Sequence, residues 1–212
     1  MPKRASPPEA PRALLERAAA LERRGRSLLE QSAQLRLEAL RAVFDDVVFY
    51  GAMLEADVLE EHGGAALEGL WALKWVEAQD TPLGKVLYAS HRGRKKVQGL
   101  FSYYVPETTA LLNAVARRRA VAQMVAQGYR LMALEGVQGQ IIRMKDARGR
   151  DTIVFARHGG YKAPGLKRAV EALLEELGGS VRFVAFVEDL NDHEWVDKSV
   201  RLELHAFSEL VH

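Results

Sequence analysis

Cysteine is absent from the 212-residue chain. Its absence excludes disulfide bonds and thiolate-ligated metal sites, and a reducing interior is the natural compartment for such a protein. Long hydrophobic runs are absent as well. No apolar stretch approaches the ~20 residues of a membrane-spanning helix, and the first residues lack a signal-peptide core. We therefore expect a cytoplasmic protein without a membrane segment.

An excess of charge of one sign is also missing. The 30 basic and 28 acidic side chains leave a formal net charge of +2. A chain this close to neutral can bind a polyanion only where its basic residues cluster. Hydrophobic residues make up 48% of the sequence and charged residues 27%, which is typical of a globular protein. The length allows one large domain or two small ones.

Proline is rare outside the start of the chain, where residues 1–11 hold four of the seven and predict a loose arm. From residue 12 to about 50 helix formers dominate. Gly25 predicts a break in this helix. Small residues alternate with leucines that recur every seven positions, namely Leu14, Leu21, Leu28 and Leu35. This repeat predicts either a self-pairing coiled coil or an amphipathic helix that folds back onto its own domain.

A different pattern begins near residue 36. A core-facing stripe at helical spacing comprises Leu37, Leu40, Phe44, Val47 and Leu54. A short helix then ends at Gly63-Gly64, and a third helix starts near Ala65. Two strand-like runs flank the turn at residues 80–84, where proline and glycine predict a hairpin.

Three helices followed by a hairpin resemble a winged helix-turn-helix domain over residues 36–102. Residues 70–77 (LWALKWVE) are similar to the end of a recognition helix that continues into the first wing strand. Residues 84–95 (GKVLYASHRGRK) are similar to the second wing strand and the turn before the last helix. The resemblance implies that the chain binds double-stranded DNA.

Basic residues cluster at the end of the predicted hairpin. Five of them, with one histidine, lie within twelve residues that contain no acid: Lys85, His91, Arg92, Arg94, Lys95 and Lys96. We assign them to phosphate contacts of the wing and its flank, because neutralising phosphates releases counterions from DNA. The alternative is a solvated basic loop.

Two further groups complete the predicted DNA surface. On the third helix, Trp71 and Lys74 face outward, although Trp71 is also a candidate for the core or for a protein interface. On a later helix, Arg117 and Arg118 belong to a run of three arginines. Consecutive helical residues point about 100° apart, so one or two of the three can extend the DNA footprint. The alternative is a solvated face with an intramolecular ion pair.

The second half alternates between helices and strands. Helices are predicted over residues 107–127 and 164–177, and strands over 129–134, 140–144, 151–156, 181–187 and 200–207. This order predicts an α/β sandwich. The fold class is therefore α+β, with a proline-rich arm and heptad helix (1–35), a winged helix (36–102), and a linking helix with an α/β domain (103–212).

From residue 103 onward the layout resembles the plasmid replication-relaxation family, in which a winged helix precedes a nuclease-like α/β domain. The supporting segments are residues 104–109 (YVPETT), 143–157 (RMKDARGRDTIVFAR) and 166–168 (LKR). A metal-dependent nuclease of this kind needs one acid near the start of a strand and a second inside the next. The interior of the second strand, residues 153–157, contains no acid. We therefore predict no catalysis.

The sequence as a whole predicts a homodimeric, double-stranded DNA-binding protein with a role in regulation or in replication of a plasmid or mobile element. We expect no cofactor, no metal and no small-molecule substrate. The dimer would form through the heptad helix or through the C-terminal sheet. One alternative is a DNA-nicking enzyme that uses Asp146, Asp151 and Glu135. A second alternative is a winged helix that binds another protein.

Overall fold

The computed structural model describes residues 11–98, 105–135, 141–177, 181–193 and 201–210. The chain is a mixed α+β protein, as predicted, and it divides into two compact units, Met1–Ala42 and Val43–His212. Residues 1–10 of the predicted arm (1–11) and the start of the second resemblance at residues 103–104 lie outside the described residues, whereas Pro11 is the first residue of a helix. None of the described helices is long and apolar enough to cross a lipid bilayer.

Helix α1 runs without interruption from Pro11 to Tyr50, so the predicted break near Gly25 is wrong. A helical glycine costs only about 1 kcal/mol relative to alanine, which the surrounding helix formers offset. The predicted boundary at residues 35/36 lies inside α1. The heptad leucines Leu21, Leu28 and Leu35 are exposed, whereas Leu14 lies outside the described side chains.

The second unit begins with the last two turns of α1 and a small three-stranded antiparallel sheet. The elements after α1 are β1 (Met53–Leu54), α2 (Glu55–His62), α3 (Gly64–Leu73), β2 (Val76–Thr81) and β3 (Gly84–Ala89). Strand β3 lies in the middle, between β1 and β2. The predicted hairpin is present, with Pro82 and Leu83 at its turn. Gly63 has a φ of 78° and ends α2 where the sequence predicted a stop.

The predicted apolar stripe of α1 is correct only in its second half. Phe44 and Val47 are fully buried, and the Trp75 ring packs 5.4 Å from the Phe44 ring. Leu37 is 46% exposed, because α1 joins the second unit only from Val43 onward. Leu54 is buried, but it lies in β1 opposite Val86 and not in a helix.

The rest of the chain forms a five-stranded mixed sheet with one helix on each face. After a short helix α4 (His91–Gly93), which continues as π-helical turns over Arg94–Gln98, the elements are α5 (Thr108–Ala126), β4 (Arg130–Glu135), β5 (Ile141–Lys145), β6 (Asp151–Phe155), α6 (Ala163–Leu177), β7 (Arg182–Val187) and β8 (Leu202–Ala206). The strand order follows the chain order. Strands β4, β5 and β6 are antiparallel, and β6, β7 and β8 are parallel. Helix α6 supplies the crossover that parallel β6 and β7 need.

Alternation along the strands directs side chains to opposite faces of this sheet. Val154 and Phe186 belong to a core cluster with Met124 of α5. Ile153 and Phe183 belong to the cluster that Val170 of α6 completes. The predicted α/β sandwich is therefore present.

Helix α5 also packs on the small sheet, which explains why residues 43–212 form one unit. Leu111 and Val115 of α5 share a buried cluster with Val86 and Tyr88 of β3. Gln79 on β2 donates a 2.6 Å hydrogen bond to the hydroxyl of Thr108 at the start of α5. The predicted boundary at residues 102/103 therefore does not separate two compact units.

Candidate nucleic-acid interface

Ser90 joins the end of α3 to the start of α4. Its hydroxyl donates a 2.7 Å hydrogen bond to the Lys74 carbonyl and accepts one of 2.9 Å from the Gly93 N–H. Its own N–H donates to the Trp75 carbonyl at 2.8 Å. Lys74 ends α3 in the left-handed region, with a φ of 56°. Ser90 thus caps α4 and also holds the turn that ends α3. We call this junction of Lys74, Trp75 and residues 90–93 the Ser90 corner.

Gly93 makes the close approach at this corner possible. A Cβ atom at Gly93 would lie 2.3 Å from the Trp75 carbonyl oxygen and 2.8 Å from ring atoms of Phe44. These separations are shorter than any side chain tolerates, so only glycine fits against the Trp75 backbone. The first turn of α4 is therefore pressed directly against the end of α3.

The Ser90 corner brings predicted DNA-binding residues from two parts of the sequence together. Lys74, Arg92 and Lys96 are exposed. Lys95 is also exposed, whereas His91 and Arg94 are half-buried. Exposed basic residues thus lie on both chain segments that Ser90 joins, at the end of α3 and at the start of α4.

The sequence predicted that the basic run belongs to the wing hairpin and its flank. In the structure most of the run lies beyond the hairpin, because β3 ends at Ala89 and the run continues into α4. Of the predicted basic residues only Lys85 lies on the hairpin. Its ammonium group is 4.0 Å from a Glu55 carboxylate oxygen, and Asp80 lies directly across the hairpin. Local positive charge at the hairpin is therefore largely balanced.

Trp71 is 38% exposed on α3, and the buried tryptophan of this segment is Trp75 at 9%. Leu70 is fully buried, so the inward face of α3 is occupied by Leu70 and not by Trp71. The core alternative for Trp71 is not supported, and its indole is available for a ligand or partner.

The predicted DNA contacts of Arg117 and Arg118 conflict with their burial, since the two residues are 6% and 7% exposed. The Arg118 guanidinium lies 3.2 Å from an Asp57 carboxylate oxygen and also pairs with Glu61. Arg119 contacts Asp57 at 3.3 Å and donates to the Leu210 carbonyl. The intramolecular ion pair of the alternative is therefore present at Arg118, but the solvated face that this alternative included is not. Asp57 and Glu61 are four residues apart on α2, and this one-faced acidic pair was the available signal in the sequence.

The three carboxylates of the nicking alternative do not converge. Glu135 pairs across the sheet with Ile141 and Asp151 with Lys145, which are the two ends of β5. Four residue steps along a strand separate these ends by about 13 Å.

Each carboxylate also has a cation beside it. Glu135 is 3.0 Å from Arg143, Asp146 is 2.6 Å from Arg150, and Asp151 is 3.8 Å from Lys145. Among the described residues, no group of three histidine, aspartate or glutamate side chains is placed to hold a metal ion.

Asp146 instead organises the turn between β5 and β6. Its carboxylate accepts hydrogen bonds from the backbone N–H groups of Arg148 at 2.8 Å and Arg150 at 3.0 Å. The hydrogen bond from the Arg150 N–H is the largest cause that lowers the pKa of Asp146, and the Arg150 side chain adds to it. These contacts give Asp146 a structural role, because its carboxylate stabilises the turn.

Comparison of the chain with protein-family models, with curated proteins and with solved structures finds no match. The resemblances to winged helix-turn-helix domains and to the plasmid replication-relaxation family stay predictions, and so does the function that they imply.

Proposed function

We propose that the chain is an intracellular, non-catalytic protein that binds double-stranded DNA through the Ser90 corner. The observation that carries the proposal is that Ser90 donates a hydrogen bond to the Lys74 carbonyl and accepts one from the Gly93 N–H, which holds the segments that carry exposed Lys74 and Arg92 next to each other. The order of three helices and a hairpin supports the assignment of residues 36–102 as a winged helix. In that assignment α3 is the helix that enters the major groove.

The exposed side chains favour contacts with phosphates over contacts with bases. Lys74, Arg92 and Lys96 are exposed cations that can approach a phosphate backbone. Helix α3 contains no arginine, asparagine or glutamine, the side chains that read base edges with two hydrogen bonds. We therefore expect modest sequence preference, set by DNA shape and by phosphate spacing.

A second copy of the chain is the proposed partner of α1. Leu21, Leu28 and Leu35 are 61%, 55% and 65% exposed, and they form a seven-residue repeat on one helix. Leucines at this spacing are covered when two helices pair as a coiled coil. A homodimer would present two Ser90 corners to one duplex, which raises the affinity above that of either corner alone.

The dependence of duplex binding on salt tests the proposal. The variant Lys74→Ala, Arg92→Ala, Lys96→Ala should bind duplex DNA more weakly, and its log–log salt slope should fall by about 0.9 for each phosphate that the variant no longer neutralises. The matched control is Arg130→Ala, Arg148→Ala, Arg168→Ala, which removes the same charge from exposed positions outside the Ser90 corner. Equal weakening in both variants, or an unchanged slope in the first, would contradict the proposal.

Contact with another protein is the second candidate function, and the exposure of Trp71 favours it. An exposed tryptophan on a short helix is a common anchor of protein interfaces. This candidate predicts that the parent protein does not bind duplex DNA even at low ionic strength. The DNA proposal predicts the opposite result in the same titration.

A further inference from the structure

Arg117 is a buried cation, and the described residues give it little opposite charge and few hydrogen bonds. It is 6% exposed, and its Nη2 donates a 3.2 Å hydrogen bond to the Tyr50 carbonyl oxygen. Its Nε is buried and makes no hydrogen bond. Among the described residues no carboxylate pairs with Arg117, whereas the neighbouring Arg118 has two. Arginine presents five N–H donors, and on Arg117 the Nε–H is left without a hydrogen-bond partner.

The charge of Arg117 persists despite this burial. Burial lowers the pKa of Arg117 from its ordinary value, but an arginine stays protonated near neutral pH. The phenol of Tyr161 interacts with this guanidinium electrostatically. Burial also raises the pKa of Tyr161, so the phenol remains neutral and does not balance the charge. A buried charge without an opposite charge is unfavourable, and proteins seldom retain one without a use.

Arg117 lines a cavity of about 320 Å³ between the end of α1, the first half of α5 and the end of β4. Among the described residues that line this cavity, Arg117 is the one that carries a charge. The apolar lining includes Val48, Phe49, Pro106, Leu111 and Leu134. A water molecule occupies about 30 Å³ of liquid, so the cavity has room for roughly ten non-hydrogen atoms. An apolar concave site with one charged group is typical of a small-ligand site.

We propose that this cavity binds a small organic monoanion: a carboxylate whose apolar body contains about six carbons. The carboxylate would accept a charge-assisted hydrogen bond from the Arg117 guanidinium, which also supplies the opposite charge. The apolar body would replace water against Phe49, Leu111 and Leu134. A dicarboxylate or inorganic phosphate is disfavoured, because the remaining charge would face apolar side chains without a hydrogen-bond partner.

Two paired strands, β1 and β3, connect the cavity to the proposed DNA surface. Tyr50 and Gly51 line the cavity and immediately precede β1, which pairs with β3. Strand β3 ends at Ala89, next to Ser90. The ligand site itself does not depend on DNA binding, and the two proposals can therefore fail separately.

Calorimetric titration of the 212-residue chain with sodium hexanoate tests the ligand site. Hexanamide is the matched neutral probe, and acetate is the anionic probe that lacks the apolar body. We expect hexanoate to bind at least tenfold more tightly than either of them. Arg117→Met should weaken hexanoate binding at least tenfold and leave the thermal midpoint unchanged or higher, since methionine removes the uncompensated charge at similar length. Arg148→Met, at an exposed position, should leave hexanoate binding unchanged.

A second variant keeps the test decisive if Arg117→Met does not fold. Ala110→Leu places a larger side chain on the cavity wall and retains Arg117, so it should also reduce hexanoate affinity at least tenfold. Equal affinity for hexanoate and hexanamide would overturn the proposal. So would undetectable hexanoate binding by the folded parent protein, or full hexanoate affinity in the Arg117→Met or Ala110→Leu variant.

Discussion

The guanidinium of Arg118 on α5 lies 3.2 Å from the carboxylate of Asp57 on α2, and both residues are at least nine-tenths buried. Glu61 and Arg119 extend this pair into a four-residue network. The network joins α2, which packs beside the three-stranded sheet, to α5, which covers one face of the five-stranded sheet. Arg118, which the sequence offers as part of a DNA footprint, is thus part of the interior, and Arg117 is buried as well.

We expect Arg118→Met to lower the free energy of unfolding by about 3 kcal/mol, because it leaves the Asp57 carboxylate buried beside a single remaining cation. Asp57→Asn should also destabilise the protein, and the double variant should lose less than the sum of the two. Urea denaturation of the four proteins measures this coupling. Strict additivity would show that the two side chains do not stabilise each other. Arg148→Met, at an exposed site, should change stability by less than about 0.5 kcal/mol.

Gly93→Ala should destabilise the second unit by about 1 to 3 kcal/mol, because its Cβ would displace the Trp75 backbone and the Phe44 ring. It should also weaken duplex binding, since α4 would move away from the end of α3. Gly25→Ala is the matched control. Apart from the local helix backbone, no atom lies within 4 Å of a Cβ at Gly25, and alanine at this site should stabilise α1 by up to about 1 kcal/mol. Normal stability of Gly93→Ala would contradict the packing at the Ser90 corner.

The carboxyl of Asp146 should titrate below its ordinary pKa of 3.8, because the Arg150 and Arg148 N–H groups and the Arg150 guanidinium favour its ionised form. A depressed pKa in the folded state stabilises the protein above the unfolded-state pKa, and this stabilisation is lost as the pH falls through the folded-state pKa. The stability difference between the parent and Asp146→Asn should therefore shrink in acid. Carbon-detected NMR titration gives the pKa directly, and a midpoint at or above that of an unfolded aspartate would refute the role of the turn.

Leu21→Ala combined with Leu28→Ala should lower the oligomeric state without unfolding residues 43–212. Both leucines are exposed in the single chain, so their truncation matters only where a second helix covers them. Truncating a covered leucine costs about 2 to 5 kcal/mol, enough to separate a modest dimer. Leu29→Ala is the control, because Leu29 is 73% exposed but lies outside the seven-residue repeat. Sedimentation that gives one mass for all three proteins would leave α1 without a role in pairing.

The protein should not cleave plasmid DNA in the presence of Mg²⁺ or Mn²⁺. Metal-assisted cleavage needs converging carboxylates that fix a cation. Glu135 on β4 and Asp151 on β6 instead pair with residues at opposite ends of β5. A plasmid-nicking assay measures this directly. Cleavage that disappears in both Asp146→Asn and Asp151→Asn would establish the enzyme alternative. Cleavage that survives both substitutions would point to a contaminating nuclease.

Local sequence patterns determined the order of the elements in this protein. Turn residues at 80–84 and 146–149 and glycines at 63 and 128 mark the ends of helices and strands, and the structure has its turns there. The order of the helices and strands in the second half predicted the α/β sandwich. Each of these signals acts between residues that are close in the chain, so the sequence alone carries it.

Only the tertiary structure decided which side chains reach the surface. Arg117, Arg118 and Arg119 are identical and adjacent in the sequence, yet one lines a cavity, one is buried in an ion pair and one reaches the Leu210 carbonyl. The partner of Arg118 is 61 residues away on α2, and no local pattern connects the two positions. Gly93 likewise has no local reason to be glycine, because its close neighbour is the Trp75 carbonyl. The charge of a residue is a property of the sequence, whereas its burial and its partner depend on how distant helices pack.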